Sequence, residues 1–207
     1  MDQTMVPDYP LVDVDPDSMA VLAPEKYPMA GRTTHEVTIG VYDVKADKTI
    51  YLKVGNPKDR YFVNIGWSPD GKTIYLKEFN RKQNEMSLDA YDAVTGDKRA
   101  TLYTERHEKY ITSYTSVAFL PWDADKFILQ SQKDGYNHLY LFNTKGEMLR
   151  QLTSGNFVVY DLLGFDKARK RVIILSAESS PIQSNLYAVD IATGKRTLLD
   201  NGRGVHA

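Results

Sequence analysis

The sequence predicts an all-β chain, a partial β-propeller of about four blades, each of four antiparallel strands. Three observations predict it. Four segments share the form apolar-x-x-apolar-Asp/Asn: Ile39 to Asp43, Leu88 to Asp92, Leu139 to Asn143 and Leu186 to Asp190. A Leu follows each at nine or ten positions, as Leu52, Leu102, Leu152 and Leu199. The Asp/Asn residues stand 49, 51 and 47 residues apart, a period that marks propeller blades and similar arrays. An aromatic residue also precedes the next repeat's first Leu by 21, 20 and 21 positions, as Trp67, Phe119 and Phe165. Finally, turn residues punctuate each unit, so that it reads strand, turn, strand, longer link, strand, turn, strand.

Residues 1–35 carry five of the nine prolines, Pro7, Pro10, Pro16, Pro24 and Pro28. These prolines disfavour helix there, and extended segments left over from an earlier blade are expected. Blades then follow over 36–207, at approximately 36–55, 60–105, 114–153 and 157–200, the first of them partial. In Ser68-Pro69-Asp70-Gly71, Pro69 presets φ, Asp70 bonds nearby backbone and Gly71 accepts positive φ. Thr95-Gly96, Lys145-Gly146 and Thr193-Gly194 mark later hairpins. The runs Ile74 to Leu76, Phe127 to Leu129 and Val172 to Leu175 are continuously apolar, as strands buried on both faces would be. The chain stops just after a blade's last strand and opens without a strand-turn lead, so a larger ring with exposed end faces is expected.

Composition narrows the function classes. The 207 residues suffice for a substantial core, with 42% hydrophobic and 26% charged residues. A net charge of −1 gives no electrostatic case for nucleic acid. The basic run Lys167 to Arg171 is short and reads as a solvated turn. With no cysteine, neither a disulfide nor a thiolate metal site can form. No apolar run approaches the roughly 20 residues of a membrane-spanning helix, and Met1-Asp2-Gln3-Thr4 does not begin a signal peptide.

Catalytic and ligand motifs are mostly missing. There is no Gly-x-Ser-x-Gly nucleophile elbow, no phosphate-cradling Gly-x4-Gly-Lys-Ser/Thr and no Gly-x-Gly-x-x-Gly. His107-Glu108 opens like a zinc helix, but Ile111 replaces the second ligand; His35, His138 and His206 lack ligand spacing. Asp13 to Ser18 resembles the start of a calcium loop, yet Ser18 stands for the turn Gly and Pro24 for the bidentate acid. No cofactor and no metal are expected. Nothing selects a catalytic pair from the 27 acids, so glycosidase chemistry has no sequence support. Among the aromatics Tyr110, Tyr114, Phe119, Trp122 and Tyr136, Phe119 shares the slot of Trp67 and Phe165, which favours blade packing over ligand contact.

A family resemblance enters with five ordered stretches. They are Tyr27-Pro28-Met29-Ala30-Gly31, Gly66 to Lys72, Asn80-Arg81-Lys82-Gln83-Asn84, Phe119-Leu120-Pro121 and Asp134 to Tyr140. Together they resemble the propeller domain of the dipeptidyl peptidase IV family, in the prolyl oligopeptidase clan. The resemblance implies a serine exopeptidase that releases N-terminal dipeptides with Pro or Ala second. It implies an eight-bladed propeller over an α/β-hydrolase domain supplying Ser, Asp and His. A Glu pair and an Arg that hold the substrate are then expected before Met1, and the hydrolase domain after Ala207. This chain is accordingly expected to be the second half of the propeller, non-catalytic alone, walling and gating the substrate cavity. By resemblance Phe119 borders the outer substrate pocket, with Leu120 where the family often has Arg. Trp67, Pro69, Asp70, Gly71, Asn80, Arg81 and Asn84 are expected to organise blades. The implied partners are a peptide substrate, the missing blades and hydrolase domain, and a second copy through exposed blade edges. The implied location is extracytoplasmic or periplasmic, with a membrane-anchored parent. The alternative is a free-standing propeller that binds a peptide or glycan, or a scaffold.

Overall fold

In the computed structural model, which describes residues 1–17, 19–112 and 115–206, the recurring Asp/Asn anchors a tight turn. Asp43 Oδ1 accepts the N–H groups of Lys45 and Ala46 at 2.9 and 3.1 Å. Asp92 Oδ1 accepts those of Val94 and Thr95, both at 2.8 Å. Asn143 Oδ1 takes Lys145 and Glu147 at 3.0 and 2.9 Å, and Asp190 Oδ1 takes Thr193 at 2.7 Å. A short side-chain acceptor satisfies N–H groups that the reversing backbone cannot reach, which is why the repeat needs Asp or Asn at that point.

The N-terminal strands β1 (Asp8–Tyr9), β2 (Val12–Asp13), β3 (Val21–Leu22) and β4 (Glu25–Lys26) fold back on one another as a ribbon, β1 on β4 and β2 on β3. These extended segments, within residues 7–17 and 19–27, pair as two-residue ladders. Their prolines fall between and beside the ladders, since proline has no N–H to pair. β5 (Gly40–Asp43) and β6 (Lys48–Tyr51) make a two-stranded hairpin.

Three four-stranded antiparallel meanders follow. The first is β7 (Arg60–Trp67), β8 (Thr73–Asn80), β9 (Glu85–Asp92) and β10 (Lys98–Arg106). Next come β11 (Ala118–Leu120), β12 (Asp123–Ser131), β13 (His138–Asn143) and β14 (Met148–Gln151). The last is β15 (Val159–Asp166), β16 (Arg171–Ser176), β17 (Asn185–Asp190) and β18 (Arg196–Leu198). All four repeats are present, three as complete blades and the first as its outer hairpin alone. Ser18, Ser113, Tyr114 and Ala207 lie outside the described residues, and with them the Ser18 end of the calcium-like loop and the aromatic Tyr114.

The core lies between sheets, and the recurring Leu plugs it. Leu52 packs on Ile74, Leu76 and Tyr91; Leu102 on Phe127, Leu129 and Phe142; Leu152 on Val172, Ile174 and Val189. Each Leu therefore leaves one blade and lands on the next. Two turn glycines let neighbouring blades come that close. A Cβ on Gly96 (φ 73) would lie 2.3 Å from the Tyr51 carbonyl oxygen, and one on Gly146 (φ 88) 2.5 Å from that of Leu102. Leu199, at the same repeat position, is 48% exposed, because no described sheet follows it. For the same reason Val172 and Ile174 are buried while Ile173 and Leu175 are only half-buried. Phe119 meets Tyr75 of the preceding blade, and Phe165 meets Trp122 of its own predecessor. Trp67 has no complete blade before it and is half-exposed.

Candidate functional site

Antiparallel meanders sort their connections by end. The tight turns at 68–72, 93–97, 144–147, 167–170 and 191–195 share one end. The other end carries the longer links at 132–137 and 177–184 and those between sheets, together with the short β8–β9 link at 81–84. Recognition chemistry concentrates on long loops held by a rigid scaffold, so the long-loop end is the candidate functional end.

Two sequence-singled segments meet there. Arg81 Nη1 donates to the Tyr61 hydroxyl, and Arg81 Nη2 reaches the carbonyls of Pro28 and Arg32 at 3.4 Å each. The Arg81 guanidinium also stacks over the Tyr61 ring at 5.8 Å. Asn80 Oδ1 accepts the Asn84 N–H at 3.1 Å, and Asn80 Nδ2 donates to Asn84 Oδ1 at 2.8 Å, closing the loop on itself. Gln83 takes φ 55 and its carbonyl accepts the Ile111 N–H at 2.8 Å. This loop thus ties the ribbon base on one side and the link to the next blade on the other. The spacing of about fifty residues between the two segments reflects a physical clasp. Tyr27, Pro28, Ala30, Tyr61, Arg81 and Gln83 line a shallow cleft of about 500 Å³ beside it.

The stretch Asp134 to Tyr140 staples the second blade to the third. Asn137 Nδ2 donates to the Val159 carbonyl at 2.5 Å, and the Val159 N–H returns a bond to the Asn137 carbonyl at 2.9 Å. His138 is fully buried, with Nδ1 3.0 Å from Thr153 Oγ1 and Nε2 2.9 Å from the Gly155 carbonyl. A carbonyl only accepts, so Nε2 carries the proton and His138 serves as a structural bridge.

The other singled-out residues are scattered. Phe119 is half-buried between the rings of Tyr75 and Phe127, at 5.2 and 5.7 Å. Leu120 is 2% exposed in the core between the second and third blades. Both pack blades together in this chain. Pro69, Asp70 and Gly71 form the β7–β8 turn, where Asp70 Oδ1 accepts the Ser68 hydroxyl at 2.6 Å and the Lys72 N–H at 3.1 Å. Those bonds hold the Asp70 carboxyl below the usual carboxylate range. Tyr110 and Tyr136 are exposed, whereas Trp122 is half-buried on Phe165. The basic run ends in paired charges, with Asp166 Oδ2 2.8 Å from Arg171 and 3.4 Å from Arg169.

Sequence reasoning missed the buried charges. Glu78 is held by Arg60 and by the Tyr91 hydroxyl. Burial pushes the Tyr91 hydroxyl up to about 12. Glu105 accepts from Ser131 Oγ at 2.6 Å across the seam between the first and second blades, and from the Tyr103 hydroxyl of its own strand at 3.2 Å. Lys77 lies 2% exposed on the same seam. Burial pulls its ammonium down to about 8, with the Glu105 charge opposing. The available signal was that β8 continues apolar to Phe79 past Lys77-Glu78, so both charges fall inside a central strand.

A family model described as the dipeptidyl peptidase IV (DPP IV) N-terminal region matches residues 1–207. The chain belongs to that family. A curated relative from Aspergillus flavus, "Probable dipeptidyl peptidase 4", is 27% identical over 178 residues, covering 81% of this chain and 23% of that protein. The inactive dipeptidyl peptidase 10 of Mus musculus is 26% identical over 176 residues, covering 78% and 22%. The chain therefore spans about a quarter of the length of these relatives. Among solved structures, a Bacteroides ovatus protein described as a dipeptidyl aminopeptidase IV is 42% identical with a TM-score of 0.85, over 94% of this chain and 30% of that one. The Porphyromonas gingivalis dipeptidyl peptidase 4 is 28% identical with a TM-score of 0.84, over 97% and 28%. The stacked sheets are thus part of a dipeptidyl-peptidase-type propeller.

Proposed function

We propose that this chain is a non-catalytic propeller portion of a serine dipeptidyl peptidase that releases N-terminal dipeptides with Pro or Ala in second position. In that protein it walls the substrate cavity and restricts entry to short or unstructured N-termini. The observation that carries the reading is the clasp of Tyr27–Gly31 by Arg81 within a chain that matches the family throughout. Inter-blade staples at Asn137, His138 and the recurring Leu make the wall stiff, which a size filter requires. The Ser, Asp and His of the reaction are supplied by a hydrolase domain elsewhere in the parent. The parent sits outside the cytoplasm, periplasmic or membrane-anchored. A second copy pairs through exposed strand edges and through the ribbon, whose Val12, Val14, Val21 and Leu22 are all exposed.

The test is a Gly-Pro chromogenic substrate offered to the purified chain and to its full-length parent. The parent is expected to turn over and the isolated chain not to. Inhibitor-sensitive turnover by the chain alone refutes the reading. A second reading, a binding propeller in a protein that performs no hydrolysis, is favoured by the inactive relative. A parent that folds and binds peptide but leaves the substrate intact would establish it.

A further inference from the structure

We propose that Asn201 is a site of self-assisted deamidation, converted through a cyclic succinimide to aspartate and isoaspartate by groups that the fold places around it. Asn201-Gly202 is the one Asn-Gly pair in the sequence. Succinimide formation needs the following peptide nitrogen to attack the asparagine Cγ, and a glycine there removes the Cβ that would obstruct the approach. Gly202 sits at φ 68, a conformation other residues adopt only under strain.

Three contacts fit the chemistry. The Gly202 N–H, whose proton must leave, donates to Asp200 Oδ1 at 2.8 Å. The Asn201 Oδ1, which must become an oxyanion, accepts the Arg203 N–H at 3.0 Å. That second bond is an Asx turn, which folds the side-chain amide over the Asn201–Gly202 peptide. Asn201 itself is exposed, so water enters and ammonia leaves freely. Asp200 is fixed in place, because its Oδ2 accepts the Leu186 N–H at 2.7 Å. Burial pushes the Asp200 carboxyl up, but the Leu186 and Gly202 N–H groups and His206 outweigh it, so the carboxylate stays ionised at neutral pH. The titratable neighbour is His206, with Nε2 3.7 Å from Asp200 Oδ2.

The step balances without any redox partner. Asp200 takes the Gly202 amide proton as the nitrogen bonds to Asn201 Cγ. The developing negative charge on Oδ1 faces the Arg203 N–H, in the manner of an oxyanion hole. Asp200 then returns the proton to the departing side-chain nitrogen, the C–N bond breaks and ammonia leaves. Water opens the ring at either carbonyl. The product places a new carboxylate beside Asp200, and the isoaspartate form lengthens the backbone by one atom. Both loosen the anchor that Asp200 provides for Leu186 at the start of β17.

The experiment is peptide mapping by mass spectrometry of the full chain held under native conditions. Its comparisons are a synthetic peptide spanning 196–206 and the chain unfolded in urea. The folded chain is expected to deamidate at Asn201 about tenfold faster than the peptide, a modest general-base gain. Between about pH 6 and pH 8 its rate climbs far less steeply than the peptide's, which follows hydroxide, because an ionised carboxylate is already the base and only the charge of His206 beside it changes. Asp200→Asn brings the folded rate down to the peptide's, with its urea midpoint confirming that it folds, and Asn201→Gln removes the product. A folded rate at or below that of the peptide, or a rate that rises with hydroxide as the peptide's does, overturns the proposal. Both readouts stand even if Asp200→Asn fails to fold.

Discussion

Leu152 and Leu199 occupy the same position of the repeat but different surroundings, so truncating each isolates what an adjoining blade contributes. Leu152 is 2% exposed and wedged against Val172, Ile174 and Val189 of the next sheet. A buried Leu→Ala change costs about 2–5 kcal/mol through lost transfer energy and the cavity left behind. Leu152 sits where two rigid sheets meet and cannot collapse freely, so roughly 3 kcal/mol is expected for Leu152→Ala. In a chain of this size each kcal/mol moves the melting temperature by about 2–4 °C, which gives a drop of roughly 6–12 °C. Leu199 is 48% exposed, so Leu199→Ala should cost less than about 1 kcal/mol. Urea transitions with unchanged slope, read by tryptophan fluorescence and circular dichroism, measure both. Equal losses for the two variants would refute the idea that these leucines act by landing on the following blade.

Gly146→Ala should cost more than Gly71→Ala. Both sit at positive φ, but only at Gly146 does a Cβ strike backbone, while Gly71 opens on empty space. About 1–2 kcal/mol of left-handed strain is expected at Gly71 and clearly more at Gly146, by the same urea assay. Arg81→Ala should release the ribbon base: amide exchange over 28–32 accelerates about tenfold while the global midpoint barely moves. Unchanged exchange would remove the clasp. Lys77 supplies a pH test. Its folded pKa, about 8, lies below the usual 10.5, so the unfolded chain binds more protons between those values. The contribution of this group to stability therefore rises with pH across that window and is unfavourable below it. Lys77→Met should be more stable than the parent chain at neutral pH, with the gap closing as pH climbs toward 10.5. A gap independent of pH would show that Lys77 does not titrate in the folded state.

The repeat, its turns and its strand order were legible because they rest on local chemistry. Asp43, Asp92, Asn143 and Asp190 each bond N–H groups within four residues, and such contacts are written directly into spacing. The recurring Leu was legible as a pattern for the same reason. The ribbon was not, because its prolines read as interruptions and only the return of the chain pairs Val12 with Leu22.

By itself the sequence determined a chain of stacked antiparallel sheets, through turn anchors that need no distant partner. Only the tertiary structure decided that Arg81 grips Pro28 fifty-three residues away and that Glu105 meets Ser131 across a seam. It also decided that Leu152 is buried where Leu199 is exposed. Those outcomes depend on which blade stands beside which, and a contact between blades leaves no period in the chain that makes it.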